Sequence, residues 1–364
     1  MKKDEIRELL KHHGTPCVSI VVPAHHISND RRTDPRTLYN AAETAKRLIS
    51  ENYSKASFLQ DLAAKIDNAV EQIDYLHTVN GIGIYISPAE ARLIHFTTPV
   101  KEKVIIGHSF DSRDLLCELE ALEDYFVLAM SRKYIRLYKG EGEHLQEIQD
   151  GNFPFVYEET FEYAKPAVGN SFGDNSLKSP ERDKSVMTEV RMQEFIRHAD
   201  NACDGYLRSP IPLIISGDAK ALSDFAQVSR HAGRVSGKVA GSYFDAQKQL
   251  AHLACSVLQD IRNREKAKLA DRAHELIGKQ KVSVGIEEVR RSALDGLGMQ
   301  LLVENDLAYP ESRGNHEIEV SSTNNPVDLI IKSVTAKNGE VVFLESGALK
   351  DFSGIALILR YNDR

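Results

Sequence analysis

Cysteine is scarce in this chain. Its 364 residues include four, Cys17, Cys117, Cys203 and Cys255, far apart and without a C-x-x-C pair. That spacing argues against a zinc ribbon or a redox pair. Each sits in an apolar neighbourhood, the setting of a buried thiol. Long apolar runs are missing too: no stretch approaches the roughly 18 residues of a membrane span. The first residues, Met1-Lys2-Lys3-Asp4-Glu5, lead into a charged helix and not an apolar leader. Positive charge is in deficit, with a formal net charge of -7. A whole-protein basic footprint for nucleic acid is therefore absent, and any such contact has to come from local patches. No internal repeat and no low-complexity tract is visible. A reducing cytoplasm is the expected location, and neither a membrane nor DNA is an expected partner.

What is present is ordinary globular material. The chain is 42% hydrophobic and 27% charged, enough apolar residue to build cores. Its length predicts two or three domains at roughly 100 to 200 residues each. A first segment, 1–121, begins with an apolar strand at 18–22 ending on Pro23. Leu38, Ala41, Ala42, Ala45, Leu48 and Ile49 then repeat at helical spacing, as do Phe58, Leu62, Ile66, Ala69, Val70, Ile73 and Leu76. Residues 82–86, 92–96 and 103–106 read as strands, the first opened by the Asn80-Gly81 turn.

The second segment, 122–261, has adjacent strands at 125–130 and 134–138 and another at 145–148. A polar, glycine-spotted loop, 165–185, follows; loops of that length are usually functional or disordered. A helix through Met192, Phe195, Ile196, Ala199, Ala202, Cys203 and Tyr206 comes next. The strand 213–215 then ends at Ser216-Gly217-Asp218, and a helix over 246–261 leads out. The third segment, 262–364, reads as helices at 262–277 and 287–294, a strand at 299–303, a polar loop at 309–326, a helix at 327–336 and strands at 341–344 and 355–361. The alternation predicts an α/β protein of three domains, each a mixed sheet with helices.

The most telling stretch is the last one. Ser353-Gly354 turns the chain into the unbroken apolar run 355–359, which stops on Arg360-Tyr361. Such a run bounded by a turn is a buried strand, and Gly354 lets the backbone pass close to a neighbour.

Several apparent motifs fail on inspection. Gly233-Arg-Val-Ser-Gly237-Lys238 has three residues between its glycines where a phosphate loop has four, and Val239 replaces the required Ser/Thr. Gly107-His108-Ser109-Phe110-Asp111 lacks the last glycine of a nucleophile elbow. His12-His13 and His25-His26 are adjacent pairs; on a strand they point to opposite sides, so a shared metal is awkward. Carboxylate pairs such as Glu158-Glu159 and Glu287-Glu288 read as solvated. No metal, no cofactor and no catalytic group is expected from these patterns.

The landmarks that remain, taken in order, resemble a known family. Cys17-Val-Ser-Ile-Val-Val-Pro23 resembles the "S-L-Y-I-P-P" strand of archaeo-eukaryotic class-one release factors, and Asn80-Gly-Ile-Gly-Ile-Tyr85 their "N-G-L-V-x-Y". Phe110 with Leu115-Leu116 is similar to the tail of their Y-x-C-x-x-x-F motif. Val284-Gly285-Ile286-Glu287-Glu288-Val289 looks like "Y-G-x-x-E-V", and residues 298–304 like "G-A-V-x-x-L-L-I". Residues 352–361 resemble "F-G-G-I-x-A-x-L-R-Y", which closes the third domain of these factors and of their relative Pelota. The chain is thus similar to the bacterial branch of the release factor and Pelota-like family. That resemblance implies an RNase H-like middle domain and a C-terminal α/β sandwich like that of kink-turn-binding proteins.

Two motifs that carry chemistry in the family are absent. Members that hydrolyse peptidyl-tRNA carry Gly-Gly-Gln on a loop before the long middle-domain helix. The matching stretch here is Val168-Gly-Asn-Ser-Phe-Gly-Asp-Asn-Ser-Leu-Lys178, with separated glycines and no glutamine. The stop-codon-reading N-I-K-S has Asn52-Tyr53-Ser54-Lys55 in its place, and the Tyr and Cys of Y-x-C-x-x-x-F fall on Val104 and Ile106. The resemblance therefore implies a non-catalytic protein that fills a ribosomal A site in rescue, hibernation or translation control. The ribosome and its rRNA would be partners, with a translational GTPase as a further one. Contacts to RNA backbone would come from Lys165, Lys178, Arg182, Lys184 and Arg191 around the middle loop, and from Lys46, Arg47, Tyr53 and Lys55 near the N-terminal one. Arg31 and Arg32 add a second basic spot. Asp174, Glu181 and Asp183 dilute the first set, so ordinary surface charge stands as the alternative. Two further readings stay open. One is a hydrolase of peptidyl-tRNA or a related ester that uses Asn170, Asp174 or Asn175 to orient water. The other is a protein-binding adaptor.

Overall fold

The strand at residues 13–23 shows how the whole chain is built. It is β1 (His13–Pro23), and its side chains alternate between two cores. Val18, Ile20 and Val22 enter one hydrophobic cluster, while Cys17 and Val21 enter another on the opposite face. A strand covered on both faces reads as a near-continuous apolar run; the polar residue within 17–22, Ser19, is buried and its hydroxyl oxygen accepts the Asp111 N–H at 2.9 Å. In the computed structural model, which describes residues 2–24, 34–53, 56–73, 80–157, 180–305, 307, 319–322 and 326–361, two further strands repeat the pattern. In β5 (Asp124–Met130), Phe126, Leu128 and Met130 face one core, and Tyr125, Val127 and Ala129 the other. In β15 (Ile355–Leu359), Ile355, Leu357 and Leu359 separate in the same way from Ala356 and Ile358.

Each of these strands lies inside its own sheet, and the chain is an α/β protein with three sheets among the described residues. By compactness it divides into two units, residues 1–122 with 265–364, and residues 123–264. The first unit holds two sheets. One has the order β13-β4-β1-β2-β3, where β2 is Gly81–Ile86, β3 Ala91–Phe96, β4 Lys103–Ser109 and β13 Glu319–Ser322. Helices α2 (Asp34–Asn52) and α3 (Ala56–Glu71) cover one face with Leu38, Ala42, Ala45, Leu62 and Ile66. Helices α1 (Lys2–Lys11) and α4 (Arg113–Ala121) cover the other with Ile6, Leu9 and Leu115. The other sheet has the order β11-β15-β12-β14, with β11 at Val282–Val284, β12 at Gly298–Glu304 and β14 at Glu340–Leu344.

The second unit carries a six-stranded sheet with the path β10-β9-β5-β6-β7, in which β8 (Phe155–Val156) pairs with β6. Here β6 is Tyr134–Glu141, β7 His144–Glu147, β9 Leu213–Gly217 and β10 Val235–Ala240. Strands β10, β9 and β5 are parallel, and β6 and β7 run antiparallel. Helices α5 (Pro180–Cys203) and α6 (Ala219–Val228) supply Phe195, Ile196, Ala199 and Phe225 to one face. The start of α7 (Gln247–Ile277) supplies Leu250, Ala251, Ala254 and Leu258 to the other.

Three differences from the sequence reading have physical causes. The helices expected at 246–261 and 262–277 are one helix of 31 residues, because no Gly or Pro interrupts residues 255–270. Within the expected loop 309–326, residues Glu319–Ser322 form β13, which runs parallel to β4. The Gly233–Lys238 stretch is a short 3-10 turn followed by β10, which is a strand edge and not a phosphate cradle. The Gly354 expectation holds twice over. Its φ is +79°, and a Cβ there would lie 2.7 Å from the Leu307 side chain. After α8 (Ile286–Asp295), the helix expected at 327–336 is α9 (Pro326–Ala336).

Candidate functional site

The residues expected to touch RNA have different surroundings. Lys46 and Arg47 lie late on α2. The Lys46 ammonium sits 2.5 Å from Glu43 and 2.9 Å from Asp67, and the hydrogen bond it donates to Glu43 above all holds its pKa above the ordinary lysine value. Its charge is largely spoken for. Arg47 is exposed, with the Glu51 carboxylate no nearer than 4.0 Å. Tyr53 is half-buried: its N–H donates to the Ile49 carbonyl at 3.0 Å, and its ring lies 6.5 Å from that of Phe58. It is core first. Arg182 and Lys184 fall in the opening of α5, and Arg191 is exposed further along it. Lys55, Lys165 and Lys178 lie outside the described residues, as do Arg31, Arg32, His25, His26 and the stretch 168–178.

A concave site forms elsewhere, at the carboxyl ends of the parallel neighbours β5 and β9. In open α/β sheets this is where ligands bind. The cleft has a volume of about 280 Å³ and is lined by Met130, Ser131 and Arg132 after β5, by Asp218, Lys220, Ala221 and Asp224 from the start of α6, and by residues of α5. Gly217 permits the two strand ends to close up, since a Cβ there would lie 3.0 Å from the Met130 carbonyl oxygen. Asp218 then caps α6, accepting the Ala221 N–H at 2.8 Å. Lys220 reaches across to Glu189 at 3.2 Å. Ser131 is taken up by its own turn, with its oxygen accepting from the N–H groups of Lys133 and Tyr134. Asp224 is buried, and its Oδ2 has no hydrogen-bond donor among the described residues. Burial, with Glu189 and Asp218 nearby, pushes its carboxyl above the usual range despite Lys220.

One group has the composition of a nucleophilic triad but not its wiring. The Ser229 hydroxyl donates to Asp200, not to a histidine. His231 faces Asp200 with Nδ1 at 2.8 Å and Asp204 with Nε2 at 3.1 Å. A base with carboxylates at both ring nitrogens has no lone pair aimed at the serine, so the group is structural. The cysteine thiols are unreactive as well. Burial pushes Cys17 up to about 11 and Cys117 and Cys203 up to about 12, and a thiol held protonated is a poor nucleophile. Ser109, the centre of the failed elbow, accepts a hydrogen bond from Lys332. His12 stacks on Phe110 and pairs with Glu90 at 2.8 Å. Among the described residues, no group of three His, Cys, Asp or Glu is placed to hold a metal ion. No helix among them is long and apolar enough to cross a membrane.

The sequence reading did not single out Asp224. On α6 it stands beside the core residue Phe225, and no spacing marks it. Asp218 had a visible signal, a capping residue type directly after the strand 213–215.

The strands and helices that build this cleft are also the part of the chain with a recognisable pedigree. The model of the bacterial archaeo-eukaryotic release factor family 3 matches residues 124–296. Over those residues the chain is similar to the bacterial release-factor-like proteins of that family. No curated protein matches it in sequence. Similar solved structures include an archaeal translation termination factor, aRF1, with 15% identity over 99% of both chains and a TM-score of 0.25. Pelota of Archaeoglobus fulgidus shares 18% identity over 77% of each chain, with a TM-score of 0.37. Dom34 of S. cerevisiae, a translation termination-like factor, shares 14% over 78% of this chain and 75% of its own, with a TM-score of 0.40. The family that the landmarks resemble is the one whose model matches residues 124–296, a stretch that includes the landmark at 284–289 and not those at 17–23, 80–85 and 352–361.

Proposed function

We propose that the chain acts in translation as a release-factor-like protein that occupies the ribosomal A site without hydrolysing peptidyl-tRNA. One observation carries the reading. A chain matched to release factors over residues 124–296 has no glutamine at 168–178, where catalytic members place Gly-Gly-Gln. The glycines of that motif allow a backbone shape other residues resist, and the glutamine helps place the attacking water. On this reading three modules, 1–121, 122–261 and 262–364, stand in for a transfer RNA, each centred on one sheet, with β13 of the third joining the sheet of the first. The partners are the ribosome with its rRNA, and a translational GTPase.

Binding that is made through local basic groups releases counterions. If about four phosphates are contacted, the log-log salt slope is about -0.7 per contact. Cosedimentation of the full chain with ribosomes from its own source, over a salt series, tests this. Retention at low salt that weakens along that slope is the expected result, with no release of peptide from peptidyl-tRNA. Failure to sediment at low salt removes the ribosomal role. Peptide release removes the non-catalytic one.

A further inference from the structure

Positive charge gathers at the turn from β5 to β6, in a chain whose net charge is -7. Arg132 and Lys133 are exposed there, and among the described residues neither makes an ion pair. The turn is fixed from within: the Ser131 hydroxyl oxygen accepts the N–H groups of Lys133 and Tyr134, and the Ser131 N–H donates to the Tyr134 carbonyl at 2.8 Å. Tyr134 and Arg136 stand two residues apart on β6 and so share one side of the sheet. It is the side packed by α7, since Tyr138 enters that core while Ile135 and Leu137 enter the other. The Arg136 guanidinium lies over the Tyr134 ring, 5.8 Å from its centre, and over the Phe244 ring at 5.4 Å. Glu147 at 3.5 Å answers its charge, with Asp245 also near. Arg136 therefore serves as a spacer that holds two rings. Tyr134 is 39% exposed, an aromatic ring steadied by a cation and open to solvent. The carboxylates of the cleft that Arg132 also borders belong to α5 and α6, on the opposite side of the sheet.

We propose that this turn binds single-stranded RNA, with a base stacked on Tyr134 and the flanking phosphates held by Arg132 and Lys133. Backbone cations beside an ordered ring make a site tolerant of sequence, because every base has a π-face. A ring already held in place loses little freedom when a base stacks on it. Paired RNA keeps its bases inside the helix and leaves the ring unused. An acidic protein segment would satisfy the two cations, but the exposed apolar group beside them is a single aromatic ring and not an aliphatic patch. The inference deepens the ribosomal reading, on which it rests for rRNA as the source of the strand.

A fluorescein-labelled uridylate decamer, titrated into the full chain and followed by anisotropy over a salt series, is the probe. Saturable binding is expected. Tyr134→Ala is expected to weaken it by about tenfold, the size of one stack, with the salt slope unchanged. Tyr134→Phe keeps the ring and should bind as the parent does. Arg132→Ala combined with Lys133→Ala should reduce the magnitude of the slope by about 1.4, the value of two contacts. Thermal melts report the folding of each variant separately. No binding at low salt, or equal affinity in Tyr134→Ala, overturns the proposal. So does a duplex of matched length that binds as tightly as the single strand, or polyglutamate that competes as well as unlabelled decamer, which would assign the turn to an acidic protein. Cosedimentation of the parent with ribosomes separates this inference from the reading beneath it. A chain that sediments but binds no decamer loses the inference alone, and one that binds the decamer but does not sediment loses the ribosomal role alone.

Discussion

Lys103 and Asp111 form an ion pair of 2.6 Å in which both side chains are withdrawn from water, at 7% and 3% exposure. Asp114, in the first turn of α4, adds a second carboxylate 2.8 Å from the same ammonium. The lysine sits on β4, between β1 and β13, and is enclosed there. The surrounding charges hold its proton well above the ordinary lysine value, overcoming the burial that opposes it.

Removing Lys103 leaves two carboxylates facing one another in a buried place. Breaking such a pair from one side costs about 3–5 kcal/mol. Lys103→Met is expected to lower the free energy of unfolding by that amount in urea titration. A loss under 1 kcal/mol would mean that water reaches the pair.

Asp328, near the start of α9, is buried among the same charges. Burial first, and then Asp111, push its carboxyl up to about 6, against Lys332, Arg113 and Lys103. The folded chain therefore holds this proton more tightly than the unfolded chain, whose aspartate titrates near about 4. The stabilisation is complete below about pH 4 and is lost as pH rises through 6. Asp328→Asn is expected to abolish this component, so that its gain in stability over the parent is larger at pH 8 than at pH 5. Paired urea midpoints at the two values check the sign.

Asp200 behaves in the opposite sense. Burial raises its pKa, but bonds from the Ser229 hydroxyl, the His231 ring and the Arg230 N–H outweigh that, and the net shift is downward. Its contribution is present above about pH 4 and is lost as pH falls through the lowered value. Asp200→Asn should flatten the acid limb of the stability curve and cost about 1–3 kcal/mol at pH 7. A variant with an unaltered acid limb would show that other carboxylates set it.

Two glycines with positive φ should respond to alanine for different reasons. Gly285 and Gly354 have φ of +78° and +79°, but a Cβ on Gly285 meets open space while one on Gly354 strikes Leu307. Gly285, with ψ of +153°, lies in a region essentially confined to glycine, so Gly285→Ala pays a backbone cost of roughly 1–3 kcal/mol and no clash. Gly354→Ala adds about 1 kcal/mol of clash to its positive-φ cost, as the strand end moves away from Leu307. In urea titration Gly354→Ala should lose about 1 kcal/mol less in a Leu307→Ala background than in the parent; equal losses would show that Leu307 yields freely.

On the ribosome, Arg47 and Lys46 should also differ. Arg47 is free to meet a phosphate, whereas Lys46 is tied to Glu43 and Asp67. Arg47→Ala is expected to reduce the magnitude of the salt slope of cosedimentation by about 0.7, the value of one contact. Lys46→Ala should change it by less than half as much. Identical slopes in the parent and Arg47→Ala would remove this helix from the interface.

Much of the fold could be read from local pattern. The apolar runs at 126–130 and 355–359, and the run at 18–22 interrupted by Ser19, mark strands, and each is a strand covered on both faces. Helical spacing of Leu38, Ala42, Ala45 and Ile49, or of Phe195, Ile196, Ala199 and Cys203, marks faces that do enter cores. These signals are legible because water exclusion acts residue by residue along a regular backbone. The site was less legible. Arg47 and Lys46 look alike in sequence, but Lys46 is tied both to Glu43 on its own helix and to Asp67, a residue of α3 that folding brings against α2.

The amino-acid order was sufficient for the strongly patterned helices and strands, the buried strand at 355–359, the turn at Gly354 and the lack of Gly-Gly-Gln. Those follow from side-chain period and backbone conformational preference, which are local properties. Folding in three dimensions settled the rest. It paired residues 319–322 with β4, enclosed Lys103 between carboxylates, and left the Asp224 Oδ2 without a donor among the described residues. Each of these joins residues that are distant in the chain or carry no periodic signature. Their energies come from desolvation and from neighbours that no local pattern names.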